Sequence, residues 1–92
     1  MSNEEIKEKL LDFCFDLFKD SGVERDIIEY VDFTDDLGMD SVTFMSMLIG
    51  VESCFDIIIP DEMLLMEYFR DFDKTFNVVR SIISGEIGGN GQ

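Results

Sequence analysis

The stretch DDLGMDSVTFMSMLIGVESCF, residues 35–55, decides how this chain folds. Gly38 interrupts the chain, and Asp40 or Ser41 can cap the helix that the apolar-rich residues 42–55 predict. At about 100° per residue, the apolar side chains of this helix divide into two groups on different faces. The larger group is the core stripe expected of a bundle helix, and its members are Phe44, Met47, Leu48, Val51 and Phe55.

The smaller group, Val42, Met45 and Ile49, forms a second stripe that points mostly away from the core stripe. It indicates a helix buried on two sides, a few exposed apolar residues of the kind that every protein has, or an exposed surface for partners. The rest of the predicted surface is acidic, and methionine adapts its shape to different partners. We therefore predict that these three residues, here called the docking strip, contact partners beside Ser41, together with the adjacent Asp40.

Capping residues and helical periodicity also predict a helix before this segment. Ser2 and Glu5 form a capping box, and the apolar residues that follow at helical spacing predict a first helix over residues 3–19. The roughly 15 residues after Gly22 hold no period for long, which predicts a long loop with room for one short turn of helix. Because this loop contains several apolar residues, we expect it to pack across the domain.

Two more helices are predicted after the central one. Pro60 followed by Asp61 opens a short third helix that should end near residue 65 or 66. Asp73 is predicted to cap an amphipathic last helix. The expected fold is therefore all-α, a small four-helix bundle with three longer helices, one short third helix and a long first loop. Residues 1–84 form the predicted domain, and residues 85–92 form a flexible Gly-rich tail.

Composition restricts the possible functions. The chain has 92 residues, with 21 acidic against 7 basic side chains and a net charge of −14, so it should repel nucleic acid and anionic membrane surfaces. It contains no histidine, which removes the usual acid/base group and the commonest metal ligand. We therefore predict a protein that is not an enzyme and has neither catalytic residues nor a metal site.

The two cysteines and the N-terminus indicate where the protein resides. Cys14 and Cys54 are 40 residues apart, each inside an apolar-periodic segment, which fits free thiols in a reducing compartment. The N-terminus is acidic, and no stretch approaches the roughly 18 apolar residues that a membrane span needs. We expect a monomer in the cytoplasm.

An acidic chain with 9 Phe and 6 Met also suggests a calcium sensor, but its loops do not fit an EF-hand. Counted from Asp32, the sixth position is Leu37 where glycine is required, and the twelfth is Thr43. Counted from Asp16, the third position is Phe18, which carries no oxygen ligand. The calcium-sensor hypothesis is therefore rejected.

The segment DDLGMDS before an apolar helix, ESCFDIIIPDE at its end, and an amphipathic closing helix together resemble the family of acyl carrier and peptidyl carrier proteins. The resemblance is close over residues 33–83. In that family the serine of a D-S-L motif receives a 4′-phosphopantetheine arm from coenzyme A, and the motif here reads Asp40, Ser41, Val42. The resemblance implies that Ser41 is the attachment residue. It also implies two kinds of partner, a phosphopantetheinyl transferase and the enzymes that load and process acyl or aminoacyl thioesters.

Two departures from the fatty-acid carriers bear on the pathway. The central helix has Thr43 and Ser46 where those carriers place acidic residues, and Glu52 is its one acid. The segment MLLMEYFRDFDKT is longer and more aromatic than its counterpart in those carriers. We therefore predict a discrete carrier of a specialised pathway that makes a polyketide, a nonribosomal peptide or a modified fatty acid. The alternatives are a housekeeping fatty-acid carrier and a degenerate carrier-like module that only binds proteins.

Overall fold

A computed structural model describes residues 1–86 of the chain. Three α-helices, α1 (Asn3–Leu17), α2 (Ser41–Phe55) and α3 (Phe72–Ile83), pack around one core, and no strand forms within the described residues. Short 3₁₀ helices occupy the connections: Lys19–Ser21, Arg25–Tyr30, Asp61–Met63 and Met66–Phe69. The predicted small four-helix bundle is confirmed, with the 3₁₀ segments of residues 61–69 as its short third helix. Most of the predicted tail, 85–92, lies outside the described residues, and its flexibility stays a prediction.

The first helix begins as predicted and ends two residues early. Glu5 N–H donates to Ser2 Oγ (3.2 Å), and Ser2 N–H donates to Glu5 Oε1 (2.8 Å), which confirms the capping box. Beyond Leu17 the chain tightens into one 3₁₀ turn that ends at Gly22, whose φ of 81° is left-handed. Glycine tolerates this conformation without a steric penalty, which is why the turn closes there.

Two details of the later helices differ from the prediction. Asp71, not Asp73, caps α3, because its Oδ1 accepts the N–H of Lys74 at 2.8 Å and the buried Phe72 opens the helix. The predicted single third helix is also wrong in its extent, since extended backbone at Leu65 (φ −124°, ψ 138°) divides it into two turns. The interruption allows Phe69 to enter the core, where its ring centroid lies 5.7 Å from that of Phe44.

The core stripe of α2 is confirmed, since all five of its side chains are buried: Phe44, Met47, Leu48, Val51 and Phe55. Burying a large apolar side chain stabilises the fold by about 1.5–3 kcal/mol. At Gly50 the ring of Phe13 on α1 comes so close that a Cβ atom would overlap it. A glycine in mid-helix therefore marks the closest approach of α1 and α2.

The long loop is fastened to the body of the bundle, as expected from its apolar residues. Ile28 and Phe33 are fully buried, and the N–H of Phe33 donates to the carbonyl of Arg70 at 2.7 Å. The guanidinium of Arg70 binds two loop carboxylates, Asp32 through Nε (2.7 Å) and Asp35 through Nη2 (2.8 Å). The loop is thereby tied to the start of α3.

The two thiols differ in their surroundings, and both are free. Burial raises the pKa of Cys14 to about 12, so this thiol stays protonated and unreactive at neutral pH. Cys54 is half-buried. No helix in residues 1–86 is both long enough and apolar enough to cross a membrane.

We predict that Gly50→Ala destabilises the protein by about 1–3 kcal/mol, the usual cost of forcing a group into a packed contact. Alanine is the better helix former by about 1 kcal/mol, so the loss must come from overlap with Phe13. Thermal unfolding should show a fall in Tm of about 4–8 °C per kcal/mol for a domain of this size.

Ser53→Ala, at an exposed position of the same helix, is the matched control and should change stability by no more than about 0.5 kcal/mol. In a Phe13→Ala background, Gly50→Ala should become stabilising because the overlap is gone. An unchanged Tm for Gly50→Ala alone would show that the ring moves aside without cost.

We also predict that Arg70→Gln lowers Tm more at low salt than at high salt. The change leaves Asp32 and Asp35 without their shared cation, in a chain that already carries a net charge of −14. Between about 10 mM and about 1 M salt, screening should remove most of the resulting repulsion.

Arg80→Gln is the matched control, because it also removes one positive charge but breaks only one ion pair, at 3.3 Å to Glu86, and a long hydrogen bond to Ser81. Its effect on Tm should be smaller at low salt. Equal losses for the two variants at every salt concentration would contradict a specific role for Arg70.

Candidate functional site

The chain turns sharply just before α2. Gly38 has φ 71°, a left-handed conformation that favours glycine, and its N–H donates to the carbonyl of Thr34 at 3.1 Å. The next residue, Met39, is buried and donates its N–H to the carbonyl of Phe33 at 2.9 Å. With Met39 anchored in the core, the two residues that follow it, Asp40 and Ser41, emerge at the surface.

Asp40 caps α2, as the sequence predicts. Its Oδ1 accepts the N–H of Thr43 at 2.9 Å, and its carbonyl accepts the N–H of Phe44 at 2.8 Å. The hydrogen bond from Thr43 N–H lowers the pKa of the Asp40 carboxyl, so this group is ionised at neutral pH. Asp40 is exposed, but its carboxylate is occupied with the helix, and a contact with partners stays a prediction.

Ser41 is the first residue of α2 and its side chain is exposed. No hydrogen bond to another residue of the described chain holds its hydroxyl. The chain has no histidine, so it offers Ser41 no imidazole to act as a general base. The Ser41 hydroxyl is therefore accessible, but no imidazole of this chain can activate it.

The docking strip is exposed along its whole length. Val42, Met45 and Ile49 are 75%, 55% and 64% exposed, so the alternative of a helix buried on two sides is wrong. The one acid of α2, Glu52, points its Oε2 at the N–H of Ile59 (2.8 Å) and thereby holds the chain after the helix. The exposed side chains of α2 are accordingly uncharged: the docking strip together with Ser41, Ser46 and Ser53.

Sequence reasoning missed one exposed apolar residue near this surface. Ile58 is 66% exposed between two buried isoleucines, Ile57 and Ile59. The bond from Ile59 to Glu52 keeps this segment beside the last turns of α2. Alternation of three apolar residues in an extended run was the signal that could have found it, because every second side chain then points outward.

Two surface pockets were also not foreseen. One, of about 290 Å³, lies between the end of α1, the long loop and the first turn of α2; we call it the loop pocket, and it is lined by Leu17, Phe18, Asp20, Ser21, Leu37 and Thr43. The other, of about 250 Å³, lies between the third helix and α3; we call it the α3 pocket, and it is lined by Met63, Tyr68, Lys74, Asn77, Val78 and Ser81. Residues 1–86 hold no group of three or more cysteine, aspartate or glutamate side chains placed to bind a metal ion.

Comparison with known proteins agrees with this geometry. A family model described as "Phosphopantetheine attachment site" matches residues 20–70, which include Ser41. The acyl carrier proteins of Chlorobium phaeobacteroides and Chlorobium phaeovibrioides are each 38% identical over 63 residues, or 67% of this chain and 77% of the relative. The acyl carrier protein of Chlorobium luteolum is 36% identical over the same shares.

Proposed function

The chain belongs to the acyl carrier protein family, and we propose that Ser41 is the residue that bears its covalently attached 4′-phosphopantetheine. One observation carries the assignment: Ser41 presents an exposed, unengaged hydroxyl directly after the Asp40 cap. A hydroxyl is the group that a phosphodiester needs, and the positive end of the α2 dipole favours the new negative charge.

The chemistry of attachment assigns Ser41 the role of substrate. Its Oγ would form a bond to the phosphorus of the phosphopantetheine half while the pyrophosphate bond of coenzyme A breaks; adenosine 3′,5′-bisphosphate leaves, and the hydroxyl proton passes to a base of the transferase. That base must come from the transferase because this chain has no histidine near Ser41. When attached, the arm supplies a terminal thiol that carries acyl groups as thioesters.

We propose a specialised pathway, for a polyketide, a nonribosomal peptide or a modified fatty acid, because the surface of α2 suits apolar partners better than basic ones. The partners would be a phosphopantetheinyl transferase and enzymes that load and process acyl or aminoacyl groups, with the carrier a monomer in the cytoplasm. A housekeeping fatty-acid role is the second candidate, and the relatives named simply acyl carrier protein favour it. The pair Asp40 and Ser41 argues against a degenerate module.

The docking strip is the proposed contact with these partners. An apolar side chain at the centre of an interface contributes most when water is excluded around it, and Val42, Met45 and Ile49 provide three such side chains within two turns of Ser41. The nearly uncharged surface of α2 favours partners with an apolar groove. Ile58, exposed in the segment that Glu52 holds, adds an apolar side chain after the end of the helix.

We predict that Ser41 alone accepts the arm. Incubation with coenzyme A and a broad-specificity phosphopantetheinyl transferase should add one group in intact-mass measurement, and Ser41→Ala should add none. Ser46→Ala and Ser53→Ala are matched controls, since both serines are exposed on the same helix, and they should load normally. No mass change in folded wild-type protein would contradict the assignment.

We further predict that Met45→Glu and Ile49→Glu weaken loading by a partner enzyme while the fold persists. Both side chains are exposed, so stability should change by no more than about 0.5 kcal/mol. Loss of an interface anchor typically costs about 1–2 kcal/mol, which corresponds to a fall in kcat/KM of roughly five- to thirtyfold.

Ser53→Glu adds the same charge to α2 without replacing a docking-strip residue, and it is the matched control for repulsion alone. Circular dichroism melts should accompany the loading assay for every variant. If Ser53→Glu reduces loading as much as Met45→Glu does, charge rather than lost apolar contact explains the effect and the docking strip is refuted.

A further inference from the structure

We propose that the neutral part of the phosphopantetheine arm rests in the loop pocket when no partner is bound. The inference depends on the proposed attachment at Ser41. The loop pocket is bounded by residues on both sides of that serine, Leu37 before it and Thr43 after it. The α3 pocket is lined only by residues 63–81, none of which belongs to the start of α2.

The route from Ser41 to the loop pocket leads over the start of α2. Thr43 lies about 3 Å further along the α2 axis and roughly 200° around it, so an arm on Ser41 must pass over the end of the helix. It meets no preceding helical turn there, but it must cross the Asp40 carboxylate, which caps this end through the N–H of Thr43. Because Thr43 is only two residues from Ser41, tethering gives the arm a high effective concentration at the pocket, so even weak contacts hold it there.

The two pockets differ in the kind of ligand that their side chains suit. The loop pocket presents the carboxylate of Asp20 and the hydroxyl of Thr43 beside the apolar side chains of Leu17, Phe18 and Leu37, whereas the Ser21 hydroxyl is already bound to the backbone of Phe18 and Val23. The acceptors on Asp20 and Thr43 match the amide N–H groups of the arm, and the apolar side matches its two geminal methyl groups. The α3 pocket instead presents the cation of Lys74, which would suit an anion better than a neutral amide chain.

The charge of Asp20 also sets the direction of the arm. Its carboxylate makes no ion pair or hydrogen bond within the described residues, and it repels the phosphodiester, which therefore stays at the start of α2. The neutral amide units are then the part that enters. At about 290 Å³ the loop pocket is at the lower limit for small-molecule sites, enough for part of the arm and not for a long acyl chain as well.

A resting position there would leave the docking strip open. At about 100° per residue, Thr43 lies on the flank of α2 between the core stripe and the docking strip, so an arm held against it covers none of Val42, Met45 and Ile49. A partner could then bind the strip before the arm is released. The arm would then be shielded from solvent while the docking strip stays accessible to partners.

Isotope-filtered NMR on the loaded protein tests the proposal, with labelled protein and an unlabelled arm. We expect nuclear Overhauser contacts from the geminal methyl protons of the arm to the methyl groups of Leu17 and Leu37. Contacts to Met63 and Val78 instead, or no contacts to either pocket, would overturn it. Intact mass distinguishes failure of the attachment from failure of the resting site. Absence of the added group refutes the attachment at Ser41, whereas a loaded protein without these contacts refutes only the resting site.

Asp20→Ala provides a second measurement. It removes one hydrogen-bond acceptor from an exposed position, so the fold should persist while the ratio of resting to free arm falls roughly two- to tenfold. Asp16→Ala, an exposed acid of α1 outside the pocket, is the matched control and should leave the ratio unchanged. The rate at which a maleimide modifies the arm thiol, resolved by mass from Cys14 and Cys54, should rise in Asp20→Ala alone; equal rates in the two variants would contradict the proposal.

Discussion

Burial of one face of α2 fixes the rotation of this helix about its own axis. The five side chains of its core stripe are each no more than 9% exposed. At about 1.5–3 kcal/mol for each, turning them outward would cost about as much as the whole stability of a small domain. The same rotation leaves Val42, Met45 and Ile49 in solvent. The docking strip is therefore exposed because the core stripe is buried.

Some acidic side chains of this protein hold its backbone in place, and others only face the solvent. Six carboxylates accept backbone N–H groups within the described residues: Glu5, Asp32, Asp36, Asp40, Glu52 and Asp71. The backbone N–H of Asp35 and then the guanidinium of Arg70 lower the pKa of Asp32, and the backbone N–H of Thr43 lowers that of Asp40. The stability that Asp32 and Asp40 contribute is present above their ordinary pKa and is lost as pH falls through the lowered values. Two of the six, Asp40 and Glu52, hold the start of α2 and the chain after its end, and the exposed side chains between them are uncharged.

Features that depend on a few neighbouring residues could be predicted from the sequence, and those that depend on distant contacts could not. The capping box at Ser2, the cap at Asp40 and the division of α2 into two faces rest on spacings within one or two turns. The choice of Asp71 over Asp73 was decided by burial of Phe72 in a core that local rules do not describe. The contact of Gly50 with Phe13 joins residues 37 positions apart, and Arg70 meets Asp32 across 38. A local pattern carries no sign of either.

Placement, more than reactivity, distinguishes Ser41 from the other serines of α2. Ser46 and Ser53 are exposed too, but only Ser41 follows a cap whose preceding residue, Met39, is anchored in the core. A carrier needs an attachment residue in a fixed position and an arm that is free to move. The buried core stripe fixes the position of α2. No helical turn precedes the first residue of α2, so nothing of the helix covers an arm attached there. The docking strip, on the same rigid helix within two turns, keeps a constant distance from the serine. If partners bind the strip as proposed, the proposed attachment point at Ser41 is already in position, without any rearrangement of the bundle.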